Sequence, residues 1–104
     1  MMKWNAILIV LLALVPSAIA ADSAQVLIVV GPSQHPPGTH EVAAGGRLLE
    51  HCLEHMENVS GVNAHVIESW PDKSLRDQAT TIVFIGDLFP PNRFPHPEQN
   101  LAEL

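Results

Sequence analysis

The sequence predicts an α/β domain built on a parallel sheet, and three observations carry that reading. Residues 25–30 (Gln-Val-Leu-Ile-Val-Val) and 81–85 (Thr-Ile-Val-Phe-Ile) are continuous apolar runs, each closed by a glycine, Gly31 and Gly86. Runs without alternation belong to strands buried on both faces, as parallel strands are. Between them the apolar period changes to steps of three and four, so strand and helix alternate along the chain.

A leader precedes the domain. Lys3 supplies a short positive region, residues 6–15 are ten consecutive apolar residues, and Pro16-Ser17-Ala18-Ile19-Ala20 ends in the small-x-small pattern that signal peptidase cleaves. Ten residues span about 15 Å as a helix, roughly half of a bilayer core. The segment therefore reads as a signal peptide cut after Ala20, leaving no stable membrane anchor, and a secreted or periplasmic location is expected. No cysteine stands at the cleavage point, so a lipoprotein anchor is not indicated. Removing 20 of 104 residues leaves 84, and losing Lys3 takes the formal charge from -6 to -7. An acidic chain has no excess of Lys and Arg to neutralise phosphates, which excludes nucleic acid as a partner. The single cysteine, Cys52, cannot close an internal disulfide.

After the first strand, residues 31–38 hold three prolines and two glycines and form an irregular loop. From Thr39 the apolar residues Val42, Gly45 or Gly46, Leu49, Cys52, Leu53 and Met56 recur at helical spacing. Arg47, Glu50, His51, Glu54, His55 and Glu57 fill the other side. This predicts an amphipathic helix of roughly 18 residues, with Thr39 as N-cap, Glu41 at the positive end and Asn58 to Gly61 as its stop. Residues 62–67 alternate weakly and form a second, shorter strand. Residues 69–79 form a crossover with at most a turn or two of helix. The third strand, 81–85, leads into a proline-rich loop over 88–97, and Pro97 starts a final helix of about two turns.

Right-handed crossovers on opposite faces give the strand order 2-1-3. The third strand then has a free edge although its composition suits an interior position, and an unpaired apolar edge is an aggregation template. The expectation is the amino-terminal half of a larger domain, truncated inside the helix that leads to a fourth strand.

In such a sheet, ligands bind beyond the carboxyl ends of the strands where the winding reverses, between strands one and three. The loops there carry Ser33, Gln34, His35, His40 and Glu41 on one side and Asp87, Arg93 and His96 on the other. Converging imidazoles and a carboxylate can bind a metal, or set a general acid and base beside a polar substrate. Each residue also has a plainer role: His35 and His96 as solvated loop histidines, Asp87 as the carboxylate that closes a turn. The candidate catalytic pair is His40 and Asp87, with Ser33, Gln34, His35 and Glu41 as substrate-binding residues. No residue is assigned to a metal, and the cofactor is left unspecified.

Other motifs carry less. His51-Cys52-Leu53-Glu54-His55 matches H-x-x-E-H, the inverted zinc-protease signature. Its histidines lie on the polar side of the helix, with only 49 of the 104 residues remaining after His55 to complete a site; weak adventitious metal binding fits them better. Cys52 falls on the apolar stripe and is expected to be an inert core thiol. Gly31-Pro32-Ser33 lacks the pattern of a phosphate loop. Asn58-Val59-Ser60 fits a glycosylation sequon, a short and frequent pattern.

Taken together, Val29-Val30-Gly31-Pro32-Ser33, then His35-Pro36-Pro37-Gly38-Thr39-His40-Glu41, then Val83-Phe84-Ile85-Gly86-Asp87 with Phe89-Pro90-Pro91, resemble the amino-terminal portion of ThuA-like proteins. These form the trehalose-utilisation family, within the class I glutamine amidotransferase-like superfamily. The Pro-Pro-Gly-Thr-His segment leading into a helix is the most specific part, and the similarity covers residues 25–104. The resemblance implies a flavodoxin-like α/β fold, a link to carbohydrate metabolism, and His40 as the family-like position. It does not imply glutaminase activity, because the nucleophilic cysteine of true amidotransferases sits on a later strand-to-helix turn.

Three functions compete. The first is an exported ThuA-like domain that binds or transforms a sugar or polyol at the two-loop cleft. The second is a non-catalytic assembly module that self-associates through the free edge of the third strand. The third is an inactive fragment whose strands are no longer completed.

Overall fold

A computed structural model of the chain describes residues 23–87 and 93–104. The expected leader and the Phe89-Pro90-Pro91 segment lie outside the described residues. The elements run β1 (Ala24–Val30), α1 (Val42–Glu54), β2 (Val62–Ile67), α2 (Lys73–Gln78), β3 (Thr81–Ile85) and α3 (Pro97–Ala102). The strands form one parallel sheet of order β2-β1-β3. With helices on both faces, this is the small, flavodoxin-like α/β arrangement that the sequence predicts. Among the described residues no helix is long and apolar enough to cross a membrane.

The continuous apolar character of β1 has a direct structural cause: the strand is covered on both sides. Ile28 and Val30 join Val42 and Ala64 in one core, packed by Leu49, Leu53, Val83 and Ile85. Leu27 and Val29 join Phe94 in the other, packed by Trp70, Leu75, Ile82 and Phe84. Alternate residues of β1 and β3 thus face α1 and the α2 side. β3 is paired with β1 along one edge, and no further described strand pairs with its other edge.

The register decides where the loops leave the sheet. Val30 stands opposite Ile85, and the Gly31 amide donates to the Ile85 carbonyl at 2.8 Å. The chain segments after β1 and β3 therefore depart side by side. At the opposite end, the Thr80 amide donates to Gln25 O at 2.8 Å, and the Gln25 amide returns a bond to Thr80 Oγ1 at 2.9 Å.

α1 keeps the expected stripe of Val42, Gly46, Leu49 and Leu53 and differs from expectation in its extent and in the place of Cys52. It spans 13 residues, and its N-cap is Glu41, not Thr39. Thr39 Oγ1 instead donates to Pro36 O at 2.6 Å, and the Glu41 carboxylate accepts from the Gly38 amide. The Pro36–Pro37–Gly38 turn, with Gly38 at φ +81°, holds Thr39 and His40 out of the helix. The buried stripe is Val42 and Gly46, flanked by half-buried Ala43, Leu49, Glu50 and Leu53. Cys52 is exposed, which corrects its expected place in the core. One residue is about 100° of helical rotation, and Cys52 is that far round from Leu53. Glu50, expected on the polar side, accepts from the Val66 amide at 3.1 Å and satisfies the outer edge of β2.

Gly46 lets α1 lie close to the sheet. A Cβ built there would stand 2.6 Å from Val30 Cγ2 and 3.4 Å from Val66 Cγ1. α2 is capped by Asp72, whose Oδ1 accepts from the Leu75 amide at 2.9 Å. α3 follows His96, a non-glycine residue in the left-handed region at φ 62°, and is fastened by Glu103. The Glu103 carboxylate accepts from Trp70 Nε1 at 3.0 Å and pairs with Arg76 at 2.9 Å.

Candidate functional site

Because β1 and β3 are neighbours, Ser33 and Asp87 come from positions 54 residues apart to within hydrogen-bond reach. Asp87 is the hub. Its side chain is 7% exposed, and a buried carboxylate needs donors to remain ionised. The Gln34 amide donates to Oδ2 at 2.8 Å, and Ser33 Oγ donates to Oδ2 at 3.0 Å and to Oδ1 at 3.2 Å. His40 Nδ1 lies 2.7 Å from Oδ1, and His35 Nε2 lies 3.9 Å from the same oxygen. The Gln34 amide holds the Asp87 carboxyl below the usual carboxylate range. Burial opposes this, and the Ser33 hydroxyl and the two imidazoles reinforce it.

The remaining order in the first loop is local. The His35 amide donates to Ser33 Oγ at 3.2 Å, so this hydroxyl both orients the loop and donates to the carboxylate. The His35 and His40 rings are 5.4 Å apart between centroids. The cleft over the site has a volume of about 460 Å³ and is lined by His35, His40, Arg93 and Phe94 among others.

All of the sequence-predicted site residues lie at this end of the sheet, in different roles. His40 and Asp87 form a direct pair, and His35 completes a three-residue cluster whose ligand-type atoms lie within 4.8 Å of one another. Ser33 and Gln34 act on Asp87 itself, Gln34 through its backbone. Glu41 is spent on the Gly38 amide at the start of α1. His96 does not join the cluster; it lies at the start of α3 with Pro97, Glu98 and Gln99. Arg93 does reach the cleft, where its Nε is buried and has no hydrogen-bond partner among the described residues. Sequence reasoning missed Phe94, which is 8% exposed and packs with Leu27, Val29 and Trp70 in the core on the α2 side. The clue was an aromatic residue placed directly before a proline in a polar loop.

His51 and His55, the other motif pair, are stacked on the exposed side of α1 with centroids 4.1 Å apart. His55 Nδ1 is engaged by the His51 carbonyl at 2.8 Å. Among the described residues, no third side chain joins them as a ligand cluster.

Chemically, the His40–Asp87 geometry is that of an oriented imidazole. With the Nδ1 proton donated to the carboxylate, Nε2 carries the lone pair and serves as a base or hydrogen-bond acceptor. Arg93 adds a positive charge in the same cleft. No family model, curated protein or solved structure matches the chain.

Proposed function

We propose that this protein is an exported ThuA-like domain that binds or transforms a sugar or related polyol in the cleft beyond β1 and β3. The observation that carries the reading is the 2.7 Å contact between His40 Nδ1 and an Asp87 carboxylate held by Ser33 and Gln34. An oriented imidazole in a polar cleft suits recognition of hydroxyl groups, and in a reaction His40 would take or return a hydroxyl proton. The resemblance of the two loops to the trehalose-utilisation family supplies the substrate class, and the leader-like N terminus supplies the export.

Calorimetric titration of the purified protein with trehalose, other disaccharides and simple polyols tests this. Saturable binding that is lost in His40→Ala and Asp87→Asn is the expected result. A flat response to the whole panel, or binding indifferent to both substitutions, overturns it. The outer edge of β3 favours a second reading, a module that self-associates by adding a strand there. Sedimentation velocity distinguishes it: a concentration-independent monomer argues against strand addition.

A further inference from the structure

We propose that His35, His40 and Asp87 form a binding site for a divalent first-row transition metal of the zinc class, with coordination positions left open toward the cleft. The donor set is two imidazoles and one carboxylate, and three protein ligands with an open position are the arrangement of catalytic zinc sites. Mixed nitrogen and oxygen donors favour zinc, cobalt or iron over magnesium and calcium, which take oxygen ligands.

The geometry fits. Donor atoms around a four-coordinate zinc, at bonds of about 2.0 to 2.1 Å, lie roughly 3.4 Å from one another. Here Asp87 Oδ1 is 2.7 Å from His40 Nδ1 and 3.9 Å from His35 Nε2, and the cluster lies within 4.8 Å. The adjustment needed falls on two imidazoles whose side chains are 47% and 55% exposed, so they can shift into solvent-facing space, while the carboxylate is anchored.

The anchoring is the second argument. The stronger bonds to the carboxylate, from the Gln34 amide and Ser33 Oγ, converge on Oδ2, leaving Oδ1 as the atom that faces both imidazoles. Metal-ligating carboxylates are typically oriented by outer partners in this way. The metal-free state has its own arrangement, with a proton between His40 Nδ1 and Asp87 Oδ1 where the ion would sit. A bound ion would present its open positions to adjacent hydroxyls of a polyol. That last step alone rests on the function proposed above; ion binding does not.

The test is zinc titration of the EDTA-dialysed protein by calorimetry, with cobalt absorption as a second readout. One equivalent is expected to bind in the micromolar range or tighter. Ser33→Ala, which removes an outer partner, is expected to weaken binding about 10- to 100-fold, and His35→Ala and His40→Ala at least as much. The double substitution of His51 and His55 by alanine is expected to leave it unchanged. Both His35→Ala and the His51/His55 variant change exposed side chains, so folding failure does not mask the outcome. No binding at millimolar zinc overturns the proposal, as does binding that follows His51 and His55. Polyol binding that persists in EDTA without zinc uptake sinks the metal site and spares the function; zinc uptake without polyol binding does the reverse.

Discussion

Adjacent glycines in α1 offer a sharp test of how the helix meets the sheet. Gly46→Ala places a methyl 2.6 Å from Val30 Cγ2, well inside van der Waals contact, whereas Gly45→Ala meets nothing within 4 Å. Val30 is 2% exposed and β-branched, so it cannot swing aside without displacing its neighbours. Overpacking of this kind costs about 1 to 3 kcal/mol. Replacing glycine by alanine within a helix returns about 1 kcal/mol. The expected net change is a stabilisation of about 0.5 to 1 kcal/mol for Gly45→Ala and a loss of up to about 2 kcal/mol for Gly46→Ala. In a domain of this size each kcal/mol moves the thermal midpoint by about 4 to 8 °C, so the two variants should separate clearly by urea or thermal unfolding. Val30 also precedes Gly31, whose amide closes the β1–β3 ladder, so Gly46→Ala should weaken ligand binding at the cleft as well. Equal stability of the two variants would refute the close approach of α1 to β1.

Two further predictions follow from the described contacts. The native Asp87 carboxyl titrates below its unfolded value, so the unfolded chain takes up its proton first as pH falls. Its contribution is present above the usual carboxylate range, about pH 4, and is lost as pH drops through the depressed native value; Asp87→Asn should flatten the acid limb of the stability profile, measured by urea midpoints, and an unchanged limb would contradict this. Cys52, exposed on α1, should react with a thiol reagent in the folded protein at a rate close to that in denaturant, whereas protection until unfolding would show a buried thiol.

The sheet was legible in the sequence because its signal is local. Residues 26–30 and 82–85 are apolar without interruption, and only strands covered on both faces need that. Ser33, His35, His40 and Asp87 were legible as candidates because a 2-1-3 order sends both loops to one end. Their contact distances were not, since they depend on Val30 facing Ile85. In α1 the stripe of Val42, Gly46, Leu49 and Leu53 was legible, and the ends of the helix and the place of Cys52 were not. Its sequence offers Val42, Leu48, Leu49, Cys52 and Leu53, more apolar residues than one stripe can bury. The choice among them was made by the fit of Gly46 against Val30, a contact between distant residues that helical period does not encode. The helix start was misplaced for a related reason. Thr39 is a good N-cap by type, but its hydroxyl is engaged by Pro36 in the preceding turn.

The pairing of Val30 with Ile85 makes the cluster around Asp87 all-or-none. Sliding β3 by one position along β1 would carry Asp87 about 3.3 Å and turn every β3 side chain to the opposite face. The carboxylate would then forfeit Ser33, Gln34 and both imidazoles together. A near-native sheet with shifted strands would thus retain its greasy interior and lack the cluster, so the cleft would be dismantled before any secondary structure is lost in a damaged molecule.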